Sequence, residues 1–299
     1  EDAAGARQGD DEMIRRLPIL RRKKVIGLAV LTWASCLFSL SCAAADASYP
    51  LDHIEPDIHD QASLQRGAKT YMNYCMGCHS LEYQRYKRTA EDLGIPENLM
   101  LKHLVFDPDT RIGDLMTNTM SAESSRNWFG ASPPDLTLHS NLKGGPDWLY
   151  TYLRTFYRDD SRPFGMNNLL YENVGMPHVL LDLQGMQIKT CKQVPQVAPN
   201  GGDMRDPLTN EFIREEVCGE ELVRRGYSPL EKVEGTGSLT TAEYDQVIYD
   251  LANFMFYIGE PARIDRTRIG WYVLLFLAFF YVFTWLLGRE YHKEFHRES

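Results

Sequence analysis

YMNYCMGCHS, residues 71–80, holds two thiols two positions apart and an imidazole directly after the second. A bare C-x-x-C is shared by redox dithiols and half zinc sites. The adjacent His79, and the lack of a second C-x-x-C in the 299 residues, select the C-x-x-C-H pattern of c-type haem attachment. Each part has a chemical reason. Cys75 and Cys78 reach the two vinyl groups on one porphyrin edge, and His79 swings under the iron as an axial imidazole. One motif predicts one haem c, held covalently through Cys75 and Cys78.

Before the motif, residues 62–74 keep Leu64, Ala68 and Tyr71 or Met72 at helical spacing, so a helix runs into the haem turn. The expected packing partner is a helix over residues 242–258. There Tyr244, Val247, Ile248, Leu251, Phe254, Met255 and Ile258 hold the 3.6-residue period, and Thr240 with Glu243 forms a capping box. Pro146 and Asp147 begin a third helix, expected to reach about Tyr157, with its aromatic residues in the core.

Electron transfer usually requires a second axial ligand. A methionine thioether suits it, because it stabilises ferrous iron and raises the potential. Of eleven methionines, Met72 and Met76 lie too close to the anchoring turn to cross the ring, and Met255 belongs to the apolar stripe of a helix. Met166 and Met176 remain, both after glycine. Met176 stands in Val174-Gly175-Met176-Pro177-His178, where glycine permits close backbone approach and proline fixes the following turn. These residues favour Met176 without closing out Met166, and His178 is a rival ligand.

Two apolar runs flank the body of the chain. Residues 25–45 carry no charge and follow Arg15, Arg16, Arg21, Arg22, Lys23 and Lys24; Ala45-Asp46-Ala47 then gives a small-x-small pattern. This predicts an N-terminal extension and secretory signal peptide over residues 1–47, cut after Ala47; an uncleaved anchor is the alternative. Met13 stands directly before the basic run, so residues 1–12 are expected to reflect start-site assignment. The second run, IGWYVLLFLAFFYVFTWLLG at 269–288, matches one bilayer-spanning helix with Trp271, Tyr272 and Trp285 at its borders. Three arginines precede it and three basic residues follow it, so charge does not orient it. The signal peptide does, with residues 48–268 outside and the tail in the cytoplasm.

Residues 48–262 hold 19 Lys/Arg against 31 Asp/Glu, a formal −12. Such a body repels phosphate backbones, which disfavours nucleic acid and suits a basic partner. Cys191 and Cys218 lie in a Pro-, Gly- and charge-rich stretch at 186–237 with weak periodicity, expected to be a long surface insertion. In an oxidising compartment these two cysteines are expected to bond, closing a loop for about 3 kcal/mol of stabilisation on a chain-entropy basis.

In order along the chain, YMNYCMGCHSLEYQRYKR, FGASPPDLTL at 129–138, GPDWLYTYLRTFYRD at 145–159, VGMPHVLLDLQG at 174–185 and a C-terminal helix followed by REY resemble the bacterial cytochrome c1 family. These proteins are the membrane-anchored haem subunits of quinol:cytochrome c reductase, the cytochrome bc1 complex. The resemblance spans roughly residues 50–292. It implies thioether cysteines at Cys75 and Cys78, a proximal ligand at His79 and an axial methionine at Met176, with Pro133 and Pro134 lining the haem pocket. The family often has an arginine facing a haem propionate shortly afterwards, but this chain reads HSNLKGG there, which leaves Lys143 or Arg154 as substitutes.

The expected fold class is mainly α: a cytochrome c-type haem domain over 48–262 with a long loop insertion, then a membrane anchor and short tail over 263–299. The resemblance implies an electron relay, not an enzyme in its own right. It would accept an electron from a Rieske iron-sulfur protein beside cytochrome b and pass it to a soluble or tethered c-type cytochrome. The rivals are a stand-alone membrane-anchored carrier and a haem sensor or peroxidase.

Overall fold

In the computed structural model, which describes residues 49–142, 144–198 and 201–297, helix α1 (Gln61–Tyr74) begins at Asp60. The Asp60 carboxylate accepts from the Ser63 amide and satisfies a donor that the first turn leaves open. The chain continues through β1 (Leu81–Arg85), α2 (Tyr86–Asp92), α3 (Glu97–His103), β2 (Leu115–Met116) and α4 (Ala122–Phe129). Then come α5 (Gly145–Arg154), β3 (Phe156–Arg158), β4 (Met166–Asn168) and the single turn α6 (Leu181–Gln184). Next are β5 (Gln187–Lys189), β6 (Lys192–Pro195), β7 (Arg214–Val217), α7 (Gly219–Arg224) and β8 (Leu230–Lys232). The last two helices are α8 (Thr241–Gly259) and α9 (Arg263–Arg297). The strands form small antiparallel pairs, β1–β2, β3–β4, β5–β8 and β6–β7. The architecture is therefore mainly α.

The core is the crossing of α1 with α8. The capping box is present: the Thr240 side chain accepts from the Glu243 amide while the Glu243 carboxylate accepts from the Thr240 amide. Leu64, Ala68, Tyr71 and Met72 on α1 face Ile248, Leu251, Phe254, Met255 and Ile258 on α8, all buried. At the closest point stands Gly67, where a Cβ would overlap the Asp250 carbonyl and the Phe254 side chain. Asp250 is itself buried and held by Arg66 (2.6 and 2.9 Å), Ser63 (2.8 Å) and Gln246 (3.1 Å), so its charge is paired within the crossing. Because the obstruction at Gly67 is backbone, Gly67→Ala should lower the unfolding free energy of the holoprotein by about 1–3 kcal/mol. Denaturant titration checks this, with the exposed Lys69→Ala as the near-neutral control.

Two expectations change. Helix α5 stops at Arg154, three residues short, because Phe156–Arg158 pairs with Met166–Asn168 as a hairpin. β-branched and aromatic residues at 155–157 favour that extended geometry. The insertion at 186–237 is not plain loop either. It contains β5 to β8, and Cys191 and Cys218 are bonded at the base of the β6–β7 hairpin with Cα atoms 4.3 Å apart. Its ends meet: the Val233 amide donates to the Met186 carbonyl at 2.8 Å, and a Cβ on Gly185 or Gly237 would strike the other strand of the neck.

Helix α9 is 35 residues long, and within it Arg268–Lys293 is long and apolar enough to cross a bilayer, with its side chains exposed. It outruns the predicted 269–288 because the flanking Arg, Glu and Lys residues are good helix formers. The expected signal peptide lies outside the described residues.

Candidate functional site

At the end of α1 the Cys78 and His79 amides both fold back onto the Cys75 carbonyl, at 3.0 and 2.9 Å. This tight turn presents Cys75, Cys78 and His79 to a cleft of about 310 Å³. The Tyr71 hydroxyl donates to the His79 carbonyl at 2.6 Å and pins the main chain there. The imidazole is oriented separately, with Nδ1 2.8 Å from the Pro134 carbonyl. A carbonyl only accepts, so Nδ1 carries the proton and Nε2 keeps its lone pair, the form in which histidine binds a metal. Lost hydration lowers the His79 pKa, which favours this neutral ring. The same cause pushes the Cys75 thiol up to about 12.

The Pro134 carbonyl is placed by its neighbour. Asp135 accepts from the Glu82 amide at 2.7 Å and from the Thr137 amide at 2.9 Å, and the Leu136 amide donates to the Ser80 carbonyl at 3.0 Å. The segment after α4 is thereby stitched to the start of β1. Prolines at 133 and 134 add no amide donors to this apolar wall.

Met176 borders the same cleft. The chain before it is held by Arg162, which donates to the Asn173 carbonyl at 2.9 Å, and by Asn167, whose Oδ1 accepts from the Asn173 amide at 2.9 Å. Both residues belong to the β3–β4 hairpin and its turn. Asn173 has φ 61°, a left-handed geometry that asparagine tolerates better than most residues. The Tyr152 hydroxyl lies 3.5 Å from the Met176 sulfur.

The remaining walls are mostly apolar, with Phe129, Leu149, Leu153, Val174, Leu251 and Met255 among them. A narrow apolar cleft with two thiols, a neutral imidazole and a thioether on its border fits a flat, hydrophobic macrocycle carrying iron.

The structure thus brings Cys75, Cys78, His79, Pro133, Pro134 and Met176 together. It separates the rival ligands. Met166 is buried in β4, paired with Arg158 and away from the cleft. The His178 ring stacks on Phe156 at 4.6 Å, and burial lowers its pKa to about 4. Arg154 is turned elsewhere, bound to Asp245 and Asp52 at 2.6 Å each, and it borders a different pocket. It does not line the cleft beside Met176. Lys143 lies outside the described residues. Gly175 is not demanded by space, since a Cβ there would make only ordinary contact with the Phe129 carbonyl at 3.6 Å. The aromatic residues of α5 belong to the core as expected, Tyr152 buried and Trp148 packed against it, and both also line the cleft. Their i, i+4 spacing is the signal that could have put both on one face.

Residues 54–194 match the cytochrome C1 family. The chain is 46% identical over 248 residues, 82% of its length and 91% of the relative, to cytochrome c1 of Allochromatium vinosum. It is 36% identical over 246 residues, 82% of its length and 89% of the relative, to a protein of Nitrosomonas europaea named ammonia monooxygenase gamma subunit. Identity to cytochrome c1 of Rhodobacter capsulatus is 22% over 260 residues, 78% and 83% of the two chains.

Proposed function

The chain belongs to the cytochrome c1 family, whose members carry one covalently bound c-type haem, and on that premise we propose that it is the haem-bearing electron-transfer subunit of a cytochrome bc1 complex. It takes an electron from the Rieske iron-sulfur protein and delivers it to a soluble or tethered c-type cytochrome. The bound haem supplies a one-electron ferric/ferrous couple. The chain's own residues would hold it: Cys75 and Cys78 would anchor it covalently, His79 and Met176 would supply an imidazole and a thioether to the iron, and Pro134 fixes the imidazole tautomer. Pro133 and the apolar walls keep water from the site, which lowers the reorganisation that each electron transfer requires.

The observation that carries this reading is the meeting of the C-x-x-C-H turn and Met176 at one apolar cleft, with one exposed, membrane-length apolar helix among the described residues. A ligand pair of imidazole and thioether supports relay over oxygen chemistry, which needs a labile coordination position. That weighs against carrying over the monooxygenase association in the name of the Nitrosomonas relative. We assign residues 48–262 to a periplasmic haem domain, 269–288 to the membrane span and the tail beyond it to the cytoplasm. Residues 1–47 are assigned to an N-terminal extension and a signal peptide cut after Ala47. The formal −12 of the haem domain supports a basic acceptor.

The test is isolation of the tagged full-length chain in mild detergent. Cytochrome b and the Rieske protein should accompany it, and quinol should reduce its haem. A lone haem protein that quinol does not reduce would indicate the stand-alone carrier. A five-coordinate high-spin spectrum would indicate the sensor or peroxidase.

A further inference from the structure

The hydroxyl of Tyr152 has only one direction in which to spend its proton on Met176. A thioether sulfur bears no hydrogen, so the 3.5 Å contact is an O–H···S bond with Tyr152 as donor. Two ring contacts fix the phenol. Its ring stacks on Trp148 at 4.7 Å and 13°, and it meets the Phe156 ring nearly edge-on at 5.2 Å and 68°. The backbone of the same residue is held separately, its main-chain carbonyl accepting from the Asn168 side chain at 2.7 Å. The side chain is buried, so water does not compete for the donor.

We propose that Tyr152 is a tuning residue for the redox couple, acting through a hydrogen bond to the axial sulfur of Met176. This rests on Met176 being the axial ligand. A thioether has two lone pairs: one goes to iron and the other is free to accept. The donor proton draws density from sulfur and sets a positive dipole end beside the iron. Ferric iron carries one more positive charge than ferrous, so it loses more from both effects. Tyr152 therefore holds the potential above the value that the bare imidazole–thioether pair would give. It also restrains the sulfur against rotating away from the metal.

The test is Tyr152→Phe in the full-length holoprotein purified in detergent, read by equilibrium redox titration and by the far-red sulfur-to-iron absorption band. Loss of the hydroxyl should lower the midpoint, so that the ferric:ferrous ratio at a fixed ambient potential rises severalfold. The band should persist at a shifted energy. Replacing Tyr152 with 3-fluorotyrosine, a stronger donor of nearly the same shape, should move the midpoint the other way. It alone decides the matter if the Phe variant fails to retain haem. A midpoint and band unmoved by these changes, with only thermal stability altered, would overturn the proposal. Met176→Leu separates the two levels: if it abolishes the band while the Tyr152 variants change nothing, the tuning role fails and the ligand assignment stands. If the band survives Met176→Leu, the ligand assignment fails and takes the tuning role with it.

Discussion

Met176→Leu should leave the haem covalently attached and lower its midpoint potential by about 100 mV or more, within the range that axial-ligand identity controls. Attachment needs only the thiols of Cys75 and Cys78, which lie on the turn that ends α1. Leucine nearly fills the volume of methionine, so the packing beside Tyr152 changes little. What disappears is the sulfur donor and its preference for ferrous iron. Redox titration and the loss of the far-red band check the outcome, and pyridine haemochrome analysis shows that the covalent bonds survive. An unchanged potential with the band intact would remove Met176 from the iron. Met166 could not simply replace it, since it is locked in β4 opposite Arg158.

Ending the chain at Ala262 should release a soluble domain that keeps its haem and its spectrum. The α1–α8 crossing is complete at Gly259, and what α9 adds to the head is small. Those additions include the Arg88–Asp265 pair at 3.5 Å, the Glu260 pairs with Arg263 at 3.0 Å and Arg266 at 2.6 Å, the Arg263 guanidinium 3.8 Å from the Phe256 ring and the partly buried Ile264. Half-exposed pairs of this kind contribute about 0–1 kcal/mol each. Reduction by ascorbate should be unaffected. Quinol-driven reduction should collapse, because the truncated head must find its partners by diffusion instead of standing at a fixed distance from them. Stopped-flow reduction with quinol, against ascorbate as control, reads both halves. Failure to hold haem would make α9 part of the fold, and undiminished quinol-driven turnover would favour the stand-alone carrier.

The parts of the molecule that could be read from sequence are those whose physics is local. The period of residues 242–258 and the Thr240–Glu243 box state a capped, one-sided helix in consecutive residues, and the structure has it at Thr241–Gly259. The C-x-x-C-H turn is equally self-contained. What escaped was decided by distant partners. Nothing near Met166 announces that it pairs with Arg158, and that pairing removes it from the cleft. The role of Pro134 was half visible: its ring marks a rigid wall, but the carbonyl that orients His79 depends on Asp135 reaching β1 across more than fifty residues. Arg162 and Asn167, which hold the loop before Met176, look like ordinary turn residues. The strands at Lys192–Pro195 and Arg214–Val217 are short and mostly polar, so their alternation is too brief to register, and the bond at their base sets the pairing.

The neck of the insertion has a further consequence. Because Gly185 and Gly237 touch, the chain leaves the haem domain and returns to it at almost one point. Topologically, everything between them is a side branch. Its first strand stays tied to the haem domain, with Gln187 donating to the Arg154 and Phe156 carbonyls at 2.9 and 2.8 Å, but the β6–β7 hairpin beyond it can lengthen, shrink or be exchanged for another module without rerouting α6 into α8. The haem domain and the β6–β7 hairpin are therefore free to diverge at different rates, with the cleft under the constraint of its cofactor and the hairpin answering to whatever surface it meets.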